Sequence, residues 1–193
     1  MTDHHNIQGQ HDKPMPTGDF LPGLINNCLK GSRIAQKQLY DAYAPFLYGV
    51  VRRYLYNQQL AGEVLNDAFY KILTKLDQYS FKGSFEGWMR RIALNVITDH
   101  IRQNVKHEVI VANSVEDFNP LIEDSGFNKL SYKELLALIH ALPDTQRAVF
   151  NLYVFEDFSH KEIAEHIGIT EINSRWHLND ARRRLKEKIT RNM

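Results

Sequence analysis

The residues that most constrain the fold lie in the stretch 159–185, where two helical patterns flank a glycine. Ser159 and Glu162 have the spacing of a capping box, in which the serine oxygen accepts from the third helical amide and the glutamate reaches back. Gly168 follows the apolar Ile167 and can end a helix in the left-handed conformation that a side chain disfavours. The sequence therefore predicts a short helix, a tight turn and a second helix.

The second helix presents a surface suited to nucleic acid. Thr170 can cap it, and its inward face follows alternating spacings of four and three residues: Ser174, Leu178, Ala181 and Leu185. The side chains left over should face away from the core: Asn173, Arg175, Trp176, His177, Asn179, Arg182 and Arg183. Arg and Asn can pair with guanine and adenine edges, so this arrangement is typical of a helix-turn-helix that reads the major groove. The alternative is an ordinary solvated helix face.

Two further helices are expected before this pair. Ser131 and Glu134 form another capping-box spacing, followed by an apolar stripe that should pack beneath the helix-turn-helix. Pro143 can occupy an early helical position that needs no amide donor, which predicts a helix after Leu142. The second half of the chain is therefore expected to be a small all-α domain.

The first half also shows helical periodicity, from Phe20 onward. Gly31 should end its first helix, and Pro45 marks a kink or boundary in the next. The stretch 63–76 buries its apolar residues and presents a face of mixed charge, which suits a protein partner or water equally well. That outward face comprises Glu63, Asn66, Asp67, Lys71 and Lys75. An all-α protein of two small domains follows.

Aromatic and basic residues alternate in the stretch 78–103. The aromatic set is Tyr79, Phe81, Phe85 and Trp88, and it lies among Lys82, Arg90 and Arg91. Unpaired bases stack on aromatic rings while cations hold the backbone, so the segment suits a single strand or an extruded base. The alternative is that Phe85, Trp88, Ile92 and Val96 are simply a core stripe. Asn95 and Asp99 continue the polar face, although Asp99 and Arg102 could equally be an ion pair.

The domain boundaries follow from composition. We expect a disordered leader over residues 1–19, a first domain over 20–105, an acidic linker over 106–129 and a second domain over 130–193. The formal net charge of +1 conceals this segregation, because basic residues crowd the C-terminus and acidic residues the linker.

Nothing in the sequence favours a catalytic or metal site. His4, His5 and His11 lie in the leader without a rigid frame, and a hydrolase centred on Asp99 and His100 lacks ligand spacing. We therefore predict a protein that is not an enzyme and has no cofactor or metal. The single cysteine, Cys28, and the absence of a secretion signal or membrane-spanning apolar run favour the cytoplasm.

Taken together, these residues resemble the bacterial sigma-70 family, and specifically its compact extracytoplasmic-function (ECF) group. In the first half the resemblance is carried by KGSRIAQKQLYDAYAPFLYGVVRRYL, GEVLNDAFYKILTKLDQY and GSFEGWMRRIALNVITDHIR. In the second half it is carried by ALPDTQRAVFNLYVFEDFSHKEIAEHIGIT and NSRWHLNDARRRL. The resemblance covers nearly everything after the leader.

The resemblance implies a factor that binds core RNA polymerase, directs it to particular promoters and helps to open them. The 63–76 face would contact the polymerase clamp, and the minus-10 element would meet Lys82, Phe85, Trp88, Arg90, Arg91, Asn95 and Asp99. The major groove of the minus-35 element would meet Thr170, Asn173, Ser174, Arg175, Trp176, His177 and Asn179, with Arg182 and Arg183 on phosphates. Family members are often held inactive by a dedicated anti-sigma protein, which is a further partner that the resemblance suggests.

Three residues depart from the family pattern. Asp180 replaces a base, so near phosphates it should either accept from a cytosine amine or pair with Arg183. Trp176 replaces a small polar residue and is expected to pack on a sugar or a thymine methyl, and Gly62 replaces an acidic residue beside Glu63. The rival interpretation is a free-standing helix-turn-helix regulator that binds duplex DNA without polymerase.

Overall fold

The computed structural model describes residues 20–104 and 131–192, and every regular element within them is helical. The α-helices are α1 (Phe20–Leu29), α2 (Arg33–Tyr54), α3 (Gln58–Thr74), α4 (Phe85–Asn104), α5 (Tyr132–His140), α6 (Asp144–Val154), α7 (His160–Ile167) and α8 (Glu171–Asn192). A short 3-10 helix, Leu76–Gln78, follows α3. The all-α prediction is confirmed. The predicted leader, linker and their boundaries lie outside the described residues.

The chain divides into two compact units. Within the described residues, the first unit comprises 20–52 and 57–96, which are α1, α3 and most of α2 and α4. The second comprises 53–56, 97–104 and 131–192, including all of α5 to α8.

The core of the first unit is built from the helical stripes that the sequence shows. Buried residues from each helix meet there, including Leu24, Ile25, Cys28, Leu39, Leu47, Leu65, Ile72, Leu76 and Met89. The edge of the Tyr43 ring packs against Phe85, with ring centroids 5.3 Å apart. α2 continues through Pro45, so a boundary at that proline is wrong. Gly31 has a φ of +81° just after α1, where the sequence predicts a helix end.

The second unit is organised around α8, which packs against both α6 and α7. The apolar residues at these contacts are buried, among them Val149, Leu152, Ile163, Ile167, Leu178, Ala181 and Leu185. Arg147 is 5 % exposed and donates to the carbonyls of His140 and Leu142, both at 3.1 Å. These bonds satisfy acceptors at the end of α5, which the helix itself leaves unpaired. The predicted capping box at Ser131 and Glu134 is present at the start of α5.

Candidate nucleic-acid and polymerase interfaces

The turn between α7 and α8 has the geometry that the sequence predicts. Ser159 Oγ accepts from the amide of Glu162 at 3.3 Å, and the Glu162 carboxylate accepts from the amide of Ser159 at 2.8 Å. Gly168 has a φ of +75° and caps α7 in the left-handed conformation. Thr170 Oγ1 then accepts from the amide of Asn173 at 3.1 Å. Local hydrogen bonds thus fix where α7 ends and where α8 begins.

The outer face of α8 contains most of the side chains predicted to lie there. Asn173, Asn179 and Arg182 are half-buried, and Arg175, Trp176 and Arg183 are exposed. Ile172, which the sequence argument passed over, is 55 % exposed one helical turn before Trp176. The sequence could have indicated this exposure, because the helical spacing that turns Leu178 and Leu185 inward turns Ile172 outward.

Two predicted groove residues are instead buried. His177 is 4 % exposed, so the prediction that it faces away from the core is wrong. The reason is that α6 and α7 both pack on α8, which makes the buried face of α8 wider than a single stripe. Ser174 is fully buried, as its spacing predicts, and its Oγ lies 2.9 Å from Nδ1 of His160. The Ser174 hydroxyl is therefore hydrogen-bonded within the protein and is not available to DNA.

The ring of His160 joins α7 to both neighbouring helices. It stacks on Tyr153 with centroids 4.8 Å apart, and the guanidinium of Arg182 lies 5.5 Å from the centre of the same Tyr153 ring. Burial lowers the pKa of His160, and the charges of Arg175 and Arg182 lower it further, against the opposing charge of Glu171. These effects favour the neutral form of the imidazole, and Arg182 lies where it can make a cation–π contact with Tyr153.

Carboxylates on α8 pair with its arginines. Arg175 lies 2.5 Å from Glu171, and Arg183 lies 2.5 Å from Asp180 and 2.8 Å from Glu187. Arg184 Nε also donates to Asp180, at 2.8 Å. The Arg175–Glu171 and Arg183–Glu187 pairs are exposed on both sides and each contributes only about 0–1 kcal/mol, so phosphate can displace them.

The side chain of Asp180 is largely buried, with only 10 % of its surface exposed. Burial alone would raise the pKa of Asp180, but hydrogen bonds from Arg184 and Arg183 and their charges lower it below 3.8. Of the two roles considered for Asp180, the structure shows pairing with Arg183, and it adds Arg184 to that pair.

The start of α4 separates two kinds of aromatic residue. Ser84 Oγ accepts from the amide of Gly87 at 2.9 Å and caps the helix. Phe85 is 2 % exposed, and Ile92 and Val96 are also buried, so for these three the core-stripe alternative is correct. The ring of Phe85 therefore offers no face to a base. Trp88 is half-buried and stacks on Phe85, with centroids 5.6 Å apart.

The polar members of this segment remain accessible. Lys82, Arg91, Asn95 and Asp99 are exposed, and Arg90 is half-buried. Asp99 and Arg102 approach to 3.9 Å with both side chains about half exposed, which makes their ion pair a weak one.

Phe81 belongs to the aromatic set of the stretch 78–103, but the sequence argument did not select it as a site residue. It is 53 % exposed at a φ of +57°, a conformation that is a genuine outlier for a bulky side chain. Its ring contacts Tyr79 with centroids 4.9 Å apart, and the Tyr79 hydroxyl donates to the carbonyl of Gly83 at 2.9 Å. In the sequence, the feature that could have indicated an exposed Phe81 is its position between two helical stretches, next to Lys82.

The outward face of α3 has the mixed charge that its sequence predicts. Asn57 caps the helix, Glu63, Asn66, Asp67 and Lys75 are exposed, and Lys71 is half-buried. The Tyr40 hydroxyl donates to Asn66 Oδ1 at 3.1 Å, which fixes one amide on this face. Tyr70 stands among these residues with 70 % of its surface exposed. The sequence argument missed Tyr70 because it follows the buried Phe69 in an apolar run.

Metal and membrane sites have no support in the parts of the chain that are described. Residues 20–104 and 131–192 contain no group of three His, Cys, Asp or Glu side chains arranged to hold a metal ion. No helix in those two ranges has both the length and the hydrophobicity required to span a bilayer. His4, His5 and His11 lie outside the described residues.

Two family models match the chain in succession. The model for sigma-70 region 2 matches residues 39–107, and the model for sigma-70 region 4 matches residues 132–185. The first match contains the stretch 78–103, which we call the aromatic-basic segment, and the second contains the helix-turn-helix.

The chain is also similar to curated sigma factors. The RNA polymerase sigma factor SigZ of Bacillus subtilis is 25 % identical over 151 residues, which cover 78 % of this chain and 85 % of SigZ. The ECF RNA polymerase sigma factor SigM of the same organism is 24 % identical over 150 residues, covering 77 % of this chain and 91 % of SigM.

Among solved structures, the chain is similar to the sigma factor RpoE of Bartonella quintana, crystallised in complex with the anti-sigma factor NepR. The TM-score is 0.46 at 19 % identity, with 78 % of this chain and 94 % of that one covered. With regions 2 and 4 matched in order and ECF factors among its relatives, the chain belongs to the sigma-70 family and is a sigma factor of the ECF type.

Proposed function

We propose that the described surfaces divide the work of promoter recognition in three. The α3 face binds core RNA polymerase, the start of α4 holds the unpaired minus-10 strand, and the outer face of α8 reads the minus-35 duplex. The observation that supports this most is the presence, in one chain, of a helix-turn-helix with an arginine-rich outer face and of an exposed aromatic-basic segment, in separate compact units. A regulator that binds only duplex DNA has no use for the second surface.

For the polymerase we assign the mixed-charge face of α3: Glu63, Asn66, Asp67, Lys71 and Lys75. We add Tyr70, because an exposed tyrosine ringed by polar groups is the type of residue that dominates protein–protein binding energy. The clamp of the largest polymerase subunit is the expected partner. Gly62 leaves this surface without an acidic side chain at that position, so Glu63 and Asp67 supply its negative charge.

For the minus-10 element we assign Lys82, Trp88, Arg90, Arg91, Asn95 and Asp99 and add Phe81. Phe85 is left out because its ring is buried. A base that leaves the duplex can stack on an exposed ring, and cations beside it can hold the backbone. Such contacts form only when the strands have separated, so they offset part of the cost of opening without any bond-making chemistry.

For the minus-35 element we assign the outer face of α8. Asn173, Arg175, Trp176 and Asn179 face the groove, Arg182 and Arg183 reach phosphates, and Thr170 fixes the start of the helix. Ser174 and His177 support this face from inside rather than touching DNA. Phosphate contacts release counterions, so binding should weaken steeply as the salt concentration rises.

The partners follow from these surfaces. Core RNA polymerase and promoter DNA bind the factor in the cytoplasm, and an anti-sigma protein that masks the same surfaces is expected from the family. The acidic linker, 106–129, would pass through the interior of the polymerase.

The test is reconstitution of the full chain with core polymerase, followed by mapping of transcript starts on genomic DNA. We expect new start sites that share upstream elements and that core polymerase alone does not use. Binding to duplex DNA without any change in start sites would instead indicate the free-standing regulator. Failure of the chain to associate with core polymerase would refute the proposal.

A further inference from the structure

Two exposed apolar side chains occupy the outer face of α8, near its N-terminus. Ile172 is 55 % exposed and Trp176 is 36 % exposed, although α8 is otherwise a strongly polar helix. They are four residues apart, so their Cβ atoms lie about 5–6 Å from each other on one face. The pair therefore forms a small continuous apolar surface, which we call the Ile172–Trp176 patch.

The patch is held rigid from beneath. The Trp176 ring meets the edge of the His177 ring, with centroids 5.0 Å apart at an interplanar angle of 77°. His177 is 4 % exposed, so the indole is braced by a residue of the core. Ile172 is β-branched and has little χ1 freedom in a helix. Binding a ligand here would consequently cost little side-chain entropy.

The surroundings of the patch indicate what covers it. Cations outnumber carboxylates along α8, and Arg175, Arg182 and Arg183 all lie within two turns of Trp176. An apolar strip bordered by arginines complements a major groove bordered by phosphates, whereas an uncharged apolar protein surface would leave those charges unmatched. The one strongly apolar group that bases expose in the major groove is the 5-methyl group of thymine.

Two arginines near the patch are engaged in ion pairs within the helix. Arg175 lies 2.5 Å from Glu171, and Arg183 is shared by Asp180 and Glu187. The patch thus adds an apolar contact to the polar contacts that Asn173 and Asn179 can make, and it does so without breaking an ion pair.

We propose that the Ile172–Trp176 patch reads thymine in the minus-35 element by packing on its 5-methyl group. This inference rests on the proposed function of α8 and adds the residues and the base that determine its specificity. It assigns Ile172 a role that the sequence argument did not give it, and it makes the departure at Trp176 the origin of a base preference.

Replacement of thymine by uracil tests the idea, because it deletes the methyl group and leaves the hydrogen-bonding edges unchanged. The probe is a promoter duplex from the start-site mapping, with the minus-35 thymines of either strand replaced singly by uracil. Holoenzyme containing the wild-type factor should bind at least one such duplex about threefold to fivefold more weakly, the scale for one buried methyl group.

Variants assign that effect to the patch. We call the loss of affinity on replacing thymine by uracil the uracil penalty. Holoenzyme with Trp176→Ala or Ile172→Ala should show little or no uracil penalty, whereas a matched control, Val154→Ala, should retain it. Val154 is also an exposed apolar residue, at 40 %, but lies at the end of α6. A merely structural role would weaken binding to the thymine and uracil duplexes equally.

Several outcomes would overturn the inference. One is a wild-type holoenzyme that starts transcription at its promoters yet is indifferent to uracil at every minus-35 position. Another is a uracil penalty of the same size in both patch variants, and a third is an upstream element without thymine in either strand. Each of these leaves the proposed function standing, whereas absence of any new start site would defeat the proposed function itself.

Discussion

Asp180 of α8 accepts a hydrogen bond from Gln146 of α6, with Nε2 and Oδ2 2.6 Å apart. The same carboxylate pairs with Arg183 and Arg184, and Gln146 is only 5 % exposed. One carboxylate therefore joins two helices and orients two arginines of the DNA-binding helix. A residue that seemed out of place near phosphates has a structural reason to be acidic.

Replacing Asp180 with Ala should destabilise the second unit. It would leave the buried amide of Gln146 without this acceptor, which typically costs about 1–3 kcal/mol of unfolding free energy. Asp180→Asn keeps an acceptor for Gln146 and should cost less. Urea denaturation of the three proteins measures the difference, and an Ala variant as stable as the wild type would contradict this account of Asp180.

The stability of the protein should fall below about pH 6.5, partly because of His160. Its pKa is lowered from 6.5 in the folded state, so below that pH the unfolded chain binds the proton more readily. The contribution is complete above the unfolded pKa and is lost as pH falls from there towards the lower folded value. Urea unfolding at about pH 7.5 and about pH 5.5 should show a smaller loss in His160→Gln than in the wild type. Equal losses in the two proteins would exclude His160 as the source.

Phe81→Gly should separate stability from strand binding. Glycine accepts the φ of +57° without strain, so thermal stability should be unchanged or higher, whereas Phe81→Ala keeps the strain and loses the ring. Both variants should reduce the affinity of holoenzyme for a single-stranded non-template minus-10 oligonucleotide by about tenfold, the scale for losing one base stack. Phe81→Trp should restore it. Undiminished oligonucleotide binding by the Gly variant would show that the ring does not contact bases.

Tyr70→Ala should weaken binding to core polymerase by about tenfold or more without affecting the fold, since the ring is 70 % exposed. Tyr132 is a matched control, because it is 64 % exposed and lies on α5 in the second unit. Fluorescence anisotropy of the labelled factor against core polymerase measures both affinities. If Tyr70→Ala and Tyr132→Ala bind as tightly as the wild type, Tyr70 makes no important contact.

Local signals in the sequence predicted the helix ends of the second unit well. The capping boxes at Ser131 and Ser159 and the left-handed Gly168 are all present where their spacing placed them. These features depend on hydrogen bonds and backbone strain within a few residues, so they can be recognised without knowing what packs nearby.

Burial was predicted less well, because it depends on how many neighbours a helix has. The buried His177 lies three residues after Ser174 and four before Ala181, at the edge of the inward stripe, and packing by both α6 and α7 decides its burial. Tyr70 lies three residues after Asp67 and four after Asn66, so its spacing agrees with its exposure although the sequence argument did not select it. Phe85 was offered both as a minus-10 residue and as part of a core stripe, and the structure decides for the core because α4 begins at Phe85. The exposure of Phe81 results from a backbone conformation that no apolar pattern reports.

The single unbroken helix α8 carries its packing residues and the residues that we propose face DNA on opposite sides. Ser174, Leu178, Ala181 and Leu185 hold the domain together, while Ile172, Trp176 and Asn179 have few duties in folding. If the second set reads DNA as we propose, point substitutions there should redirect the factor to other genes while the scaffold stays intact. A lineage that duplicates such a gene could evolve a new regulon in a few mutational steps.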